Sequence, residues 1–129
     1  MIRYKKGYRY QLSANYTERI AVHPKDPIQT EYIHLSPKGD LTILKGYAWD
    51  GATAFPDLNC LMRASLIHDA LFQLFRQHKL SKVEWFKTAN RIFKWRAVED
   101  GCPTVLAWVV YAGVALGSLR AAGSPPRKT

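Results

Sequence analysis

Cysteine is scarce in this sequence, and the two that occur, Cys60 and Cys102, belong to no Cys-x-x-Cys motif and no Cys/His cluster. Two cysteines are too few for the disulfide framework of a small secreted domain, and their isolation excludes the usual zinc-binding spacings. A single bridge between them stays open. We expect instead two buried or half-buried thiols in a reducing compartment.

A secretory leader is not visible at the start of the sequence. The opening stretch, MIRYKKGYRY, is basic but contains no apolar run of the length that a signal peptide needs. The expected location is therefore the cytosol.

Acidic residues are also few, with ten Asp and Glu against nineteen Lys and Arg and a formal net charge of +9. Such an excess attracts nucleic acid, anionic lipid or an acidic partner without identifying which. Lys87, Arg91 and Lys94 recur at the spacing of one helix face, close to two tryptophans. They form a candidate site for nucleic acid or a lipid headgroup, although a solvated helix face is the simpler interpretation.

The length of 129 residues and the hydrophobic content of 47% fit one folded domain, which we place at residues 1–120, with a flexible basic tail at 121–129. The first half alternates like β-strands and the second half has helical periodicity. Strands followed by helices predict an α+β fold. We expect a small antiparallel N-terminal sheet followed by three helices, of which the first two form an antiparallel pair.

The clearest local signal in the first half is a β-hairpin in EYIHLSPKGDLTILKGYAW. Ile33 and Leu35 alternate with polar neighbours, SPKGD supplies the turn, and Leu41 and Ile43 resume the alternation. The pattern predicts one buried face and one exposed face.

The first helix is predicted to begin after PDLN, with Asp57 or Asn59 as N-cap, and to run to about Gln77. The second opens with Ser81 at the N-cap and Glu84 three residues later, which is a capping box.

The second helix is predicted to end near Gly101, which can adopt a left-handed C-cap conformation. Residues 104–119 carry no charge and predict a third helix. This stretch is shorter than a membrane span and rich in Ala and Gly, so a buried helix is the better interpretation.

Two polar residues interrupt apolar stripes on the first two helices. His68 lies among Leu61, Ser65, Phe72 and Phe75, and Asn90 lies among Val83, Phe86, Phe93 and Ala97. The short HKLS connection makes the helices antiparallel, so both residues should lie level with each other. Because a buried polar group is costly unless it is paired, we expect His68 and Asn90 to bond to each other or to share a water.

Asp69 follows His68 directly and therefore points about 100° away around the helix. It cannot orient His68 as the carboxylate of a catalytic triad would. Together with Asp50 it is a candidate cation site, and it is also placed to reach the backbone of Gly51–Thr53. The simplest alternative is a core histidine satisfied by an amide, without chemistry.

The sequence resembles the bacteriophage and prophage family called domain of unknown function 1353, over about residues 30–120. The resemblance rests on an aromatic-Asp-Gly-Ala-Thr turn, a following proline, a His-Asp helix, an element of the second helix and a Tyr-x-x-Val element. These are Trp49–Thr53, Pro56, His68–Phe72, Ala89–Phe93 and Tyr111–Val114.

The resemblance implies a phage-associated protein, found in the host bacterial cytoplasm or in the virion, but the family has no agreed activity. Two positions depart from its pattern, because Phe72 replaces the usual Tyr and Asn90 replaces the usual Asp.

A further analogy is to secreted phospholipases, which place a polar loop before a His-Asp helix and orient the histidine with an Asp on the partner helix. The analogy implies that His68 is a general base and that Asp69 and the Asp50 loop hold a divalent cation. Asn90 can hold the ring but cannot stabilise an imidazolium as a carboxylate does.

Two hypotheses follow. The first is a phage accessory protein with a hydrolase-like site at the sheet–helix junction, where His68, Asp69, Asp50 and Asn90 are catalytic and Trp49, Gly51 and Thr53 contribute to binding. The second is a non-catalytic virion component, or a protein that binds a host protein or nucleic acid through Lys87, Arg91 and Lys94. Neither includes a membrane-spanning segment.

Overall fold

A computed structural model describes residues 4–5, 10–49, 59–104, 106–107 and 111–112. The predicted site residues Asp50, Gly51 and Thr53, the predicted cap Asp57 and the predicted tail at 121–129 lie outside these ranges. The chain divides into two compact units, Met1–Gly51 and Ala52–Thr129. The fold class is α+β, as predicted, with antiparallel sheets in the first unit and helices in the second.

The first unit contains seven short strands within the described residues, arranged as two antiparallel sheets. One sheet has the order β1–β2–β7 and the other the order β3–β6–β5–β4. The strands are β1 (Tyr4–Lys5), β2 (Tyr10–Leu12), β3 (Tyr16–Arg19), β4 (Ile28–Gln29), β5 (Ile33–Leu35), β6 (Asp40–Ile43) and β7 (Ala48–Trp49).

The predicted hairpin is confirmed as β5 and β6. Ile33 pairs with Ile43 and Leu35 with Leu41, and all four side chains are at most 1% exposed. His34, between them, points to the opposite face and is only half-buried. Because successive side chains in a strand alternate between faces, the apolar positions supply one side of the sheet to the core.

The turn between β5 and β6 requires glycine at position 39. Gly39 has a φ of +92°, and a Cβ atom there would overlap the carbonyl oxygen of Ile20. The backbones meet so closely because the Ile20 amide donates to the Gly39 carbonyl, with an N···O distance of 2.8 Å. A residue without a side chain therefore joins this turn to the segment that follows β3.

The described part of the second unit contains two α-helices, α1 (Met62–Arg76) and α2 (Lys82–Glu99), with a 3₁₀ turn at Asn59–Leu61 before α1. Only residues 77–81 separate the helices. They form the predicted antiparallel pair, since contacts join the start of α1 to the end of α2 and the middle of one to the middle of the other.

The start of α1 differs from the prediction. Asn59 lies in the 3₁₀ turn, and the N-cap position is occupied by Leu61, whose side chain makes no capping hydrogen bond. The helix therefore starts without the usual side-chain acceptor for its first amide groups. Packing and covalent structure must hold this end instead.

α1 ends at Arg76, with Gln77 as its C-cap, close to the predicted end. The His78 amide donates to Phe75 and the Lys79 amide to Leu74, which is the hydrogen-bond pattern of a Schellman motif. His78 has a φ of +59°, the left-handed conformation that glycine usually supplies. The turn into α2 thus places a side chain in an unfavourable backbone region.

Both predicted ends of α2 are confirmed. The Ser81 hydroxyl accepts a hydrogen bond from the Glu84 amide at 3.3 Å. At the other end Gly101 has a φ of +100°, and the Cys102 amide donates to Ala97 at 3.0 Å. This Schellman motif reverses the direction of the chain and places Cys102 against the end of α2.

Three helices are not supported by the structure. Most of the predicted third helix lies outside the described residues, although the Ala107 amide donates to the Pro103 carbonyl at 2.9 Å, as in a helical turn. No helix within the described ranges is both long enough and apolar enough to cross a membrane.

Candidate functional site

The centre of the helix pair holds the predicted contact between His68 on α1 and Asn90 on α2. His68 Nε2 lies 2.8 Å from Asn90 Oδ1. Asn90 is 3% exposed, so the contact satisfies an amide that would otherwise be costly to bury. The prediction that these two residues lie level and pair is confirmed.

Aromatic side chains enclose the His68 ring. Phe72 stacks on it with a centroid distance of 4.2 Å and an interplanar angle of 23°, and Phe93 lies 5.5 Å away in a tilted arrangement. Phe72 and Phe93 are themselves buried, whereas His68 as a residue keeps partial exposure. Among the described residues, the imidazole therefore has an apolar environment and one hydrogen bond, to Asn90.

This environment favours the neutral imidazole. Burial lowers the pKa of His68 from 6.5 to about 4, against the opposing effect of the hydrogen bond to Asn90. The positive charge of Arg76, two turns further along α1, lowers the pKa as well. At neutral pH the ring carries no charge.

The hydrogen bond also determines the tautomer. A carboxamide oxygen can only accept, so Nε2 carries the ring proton and donates it to Asn90. The lone pair of the neutral ring is then on Nδ1. Within the described parts of the chain, Nδ1 has no hydrogen-bond partner. A neutral Nδ1 can accept a proton from water, which is the first step of general-base catalysis.

Of the other predicted catalytic and cation-binding residues, the structure describes only Asp69. Asp69 is half-buried, and the hydrogen bond of His68 goes to Asn90 and not to its neighbour. Asp50, Gly51 and Thr53 lie outside the described residues. In the described ranges, no three His, Cys, Asp or Glu side chains cluster as metal ligands would.

Trp49, predicted to contribute to binding, is a core side chain of the first unit. It is 2% exposed, its strand pairs with β2, and its ring centroid lies 5.6 Å from that of Tyr10.

The three residues of the predicted basic face of α2 differ in exposure. Lys87 and Arg91 are exposed, but Lys94 is only 8% exposed. The Lys94 Nζ atom lies 4.6 Å from the Trp95 ring centroid and 5.0 Å from that of Tyr111. The lysine thus interacts with aromatic faces. The exposed face contains Lys87, Arg91 and Trp95, whose side chain is 51% exposed.

Val83 also differs from its predicted place. The apolar stripe of α2 placed it with the core residues, but it is 89% exposed. It lies in the first turn of α2.

The two cysteines form a disulfide, which corrects the expectation of free thiols. Cys60 and Cys102 are joined with a Cα–Cα distance of 5.3 Å across 42 positions of sequence. Cys102 is 4% exposed and packs with Leu61, Phe93 and Ala97 in one apolar cluster.

An ion-pair cluster that the sequence analysis missed lies at the same end of the helix pair. The Arg63 guanidinium donates to both carboxylate oxygens of Asp100, at 3.0 and 2.9 Å, and to Glu99 at 2.9 Å. The two-pronged contact with Asp100 fixes the planar guanidinium in one orientation. It joins the first turn of α1 to the last residues of α2.

Comparison with protein-family models, curated proteins and solved structures finds no match for this chain. The functional conclusions below therefore rest on its own residues and on the motif resemblance described above.

Proposed function

We propose that the protein is a small phage accessory protein whose helix pair carries a hydrolase-like site, with His68 as general base. The observation that carries this proposal is the hydrogen bond of 2.8 Å from His68 Nε2 to Asn90 Oδ1. It leaves the lone pair on Nδ1, so His68 is held in the tautomer that can deprotonate an attacking water. A water activated in this way attacks an electrophilic carbon or phosphorus, and we propose an ester as the substrate class.

The same geometry limits the rate of such a reaction. A base with a pKa of about 4 remains unprotonated at neutral pH but takes up a proton weakly. The Asn90 carbonyl raises the pKa of the ring only in part against the effect of burial, and it offers no negative charge to the imidazolium that forms when water is deprotonated. We therefore propose slow hydrolysis, with Asn90 as the residue that restricts it.

The phage assignment rests on the resemblance in residues 49–53, 68–72 and 89–93. The disulfide supports a virion location over the host cytoplasm, because disulfides persist in oxidising surroundings and are rare in reducing ones.

Hydrolysis of p-nitrophenyl butyrate by the wild type, His68→Gln and Asn90→Asp tests the proposal. We expect slow turnover by the wild type, its loss in His68→Gln, and a rise of at least about tenfold in Asn90→Asp, where a carboxylate stabilises the imidazolium. His78→Asn is the matched control, since it removes an exposed histidine from the same unit and should leave the rate unchanged. Equal rates in the wild type and His68→Gln would exclude His68 as a base.

A second function is favoured by the exposed face of α2. Lys87 and Arg91 lie one turn apart, and the exposed Trp95 lies one turn beyond Arg91. Two cations beside an accessible indole can contact phosphates and stack on a base. We propose nucleic acid as the partner if the protein has no catalytic activity.

Retention on single-stranded DNA at increasing salt tests the second function. Lys87→Gln together with Arg91→Gln should weaken retention and reduce its salt dependence, and Trp95→Ala should weaken retention without changing the salt dependence. Lys45→Gln, an exposed lysine of the first unit, is the control for loss of charge alone. If Lys45→Gln weakened retention as much per charge removed as the double variant, and Trp95→Ala did not weaken it, net charge and not this face would be the cause of retention.

A further inference from the structure

The disulfide closes the end of the helix pair at which α1 begins and α2 finishes. The other end is closed by the chain itself, through residues 77–81. We propose that Cys60–Cys102 is a redox latch: the oxidised form holds α1 and α2 together around His68, and reduction by a dithiol releases them.

The start of α1 depends on this bond because local signals for it are weak. The N-cap residue, Leu61, provides no side-chain acceptor. Cys60 lies directly before it, so the disulfide fixes the position of the chain at the point where the helix starts. A helix end with no cap of its own frays when its attachment is removed.

The end of α2, in contrast, presents its cysteine through well-formed local structure. The Schellman motif around Gly101 directs Cys102 back onto the helix pair, where it packs with Leu61 and Phe93. One partner of the disulfide is thus held in place by its own helix, while the other depends on the bond. Reduction is expected to release the α1 side.

Phe93 connects the latch to His68. It belongs to the apolar cluster that contains Cys102, and its ring lies 5.5 Å from the His68 ring. When the cluster loosens, Phe93 loses its packing partners and more water reaches the imidazole, which is half-buried in the oxidised form. The environment of His68 therefore reports the state of a disulfide two helical turns away.

The exposure of the two cysteines indicates which sulfur reacts first. Cys60 is half-buried, whereas Cys102 is 4% exposed. A thiolate of the dithiol attacks Sγ of Cys60, the S–S bond breaks, and Cys102 leaves as a thiolate that takes up a proton. The second thiol of the dithiol then attacks the mixed disulfide and releases Cys60. The protein disulfide gains two electrons, and the dithiol becomes a cyclic disulfide.

The ion pairs of Arg63 do not replace the latch. The Arg63 side chain is 22% exposed, and those of Asp100 and Glu99 are 29% and 54% exposed, so water weakens these contacts. A bond that closes a loop of this length raises the folding equilibrium constant by a factor of about 10³ in the chain-entropy treatment. The disulfide therefore contributes more to the stability of the helix pair than the ion pairs of Arg63 do.

Urea unfolding and the NMR signal of His68, each recorded before and after dithiothreitol treatment, test the latch. We expect reduction to lower the folding equilibrium constant of the helix pair by about 10³-fold and to move the His68 titration midpoint upward toward 6.5. Removal of the reductant and reoxidation should restore both. Arg63→Gln in the oxidised protein is the matched control, and its effect on both measurements should be much smaller.

Two results would overturn the latch. One is an unchanged unfolding midpoint and His68 signal in protein whose two thiols have been shown to be free. The other is an Arg63→Gln variant that, while still oxidised, reproduces the full effect of reduction. Neither result depends on whether the protein hydrolyses an ester.

Discussion

His68 on α1 donates a hydrogen bond from Nε2 to the Oδ1 atom of Asn90 on α2, across 2.8 Å. This contact satisfies a buried amide, fixes the imidazole tautomer and leaves Nδ1 as the basic atom. It also joins the two helices at the middle of their contact. The disulfide and the ion pairs of Arg63 join them at one end.

The low pKa of His68 predicts a loss of stability in mild acid. Between pH 6.5 and about 4 the unfolded chain binds a proton at His68 that the folded chain does not bind. The contribution of the neutral ring is therefore complete above pH 6.5, falls as the pH is lowered through this window, and levels off below about 4. We expect a loss of about 3 kcal/mol over the whole window.

Urea unfolding at a series of pH values measures this loss, and His68→Gln is its control. The variant has a lower stability at neutral pH but should lack the decline between pH 6.5 and 5, where carboxylates contribute little. Parallel pH profiles for the wild type and the variant would contradict the assigned pKa.

Arg76→Gln is expected to raise the pKa of His68. The variant removes the positive charge that opposes protonation of the ring, while burial, the larger cause, remains and keeps the pKa below 6.5. The NMR titration of His68 measures the shift. Arg91→Gln, which removes an exposed charge from α2, is the comparison and should change the midpoint less.

His78→Gly is expected to stabilise the protein by about 1 kcal/mol, because glycine adopts the left-handed conformation at this C-cap without steric cost. His78→Ala retains the Cβ atom and should bring no such gain. Thermal or urea unfolding gives the comparison. A glycine variant less stable than the wild type would mean that the His78 side chain contributes more than its backbone conformation costs.

Gly39→Ala is expected to destabilise the first unit by about 2 kcal/mol, since the new Cβ atom combines a positive φ with overlap of the Ile20 carbonyl. Gly46→Ala is the matched control. Gly46 also has a positive φ, +98°, but its added Cβ would lie 3.3 Å from the Tyr32 ring, which can move. Equal losses in the two variants would show that the close approach to Ile20 is unimportant.

Local patterns in the sequence predicted those elements whose signals are local. The alternation around Ile33 and Leu41 gave the hairpin and its buried face, and the capping box at Ser81 gave the start of α2. The predicted N-cap of α1 was wrong because the residue at that position, Leu61, provides no capping side chain.

The level placement of His68 and Asn90 followed from helix rise and a short connection. The same reasoning also applies at the end where α1 begins and α2 finishes. It would have brought Cys60 next to Cys102 and Arg63 next to Asp100, because all four residues lie close to these two helix ends. The sequence analysis left a bridge open but favoured free thiols, because the cysteines were judged by their number and not by their positions in the antiparallel pair.

The burial of Lys94 could not be predicted from helix periodicity. Its position beside Lys87 and Arg91 indicated a polar face, whereas its contact with Tyr111 involves a residue outside α2, which the periodicity of the helix does not include. A long aliphatic side chain with a terminal charge can lie among aromatic rings when they face its ammonium group.

The most direct test of the account is the NMR titration of His68 in the wild type and in Asn90→Asp. We predict a wild-type midpoint near 4 and a clearly higher midpoint in the variant, where a carboxylate replaces the amide beside Nε2. A wild-type midpoint at the ordinary value of 6.5, unchanged by Asn90→Asp, would contradict both the buried environment of the ring and its contact with Asn90.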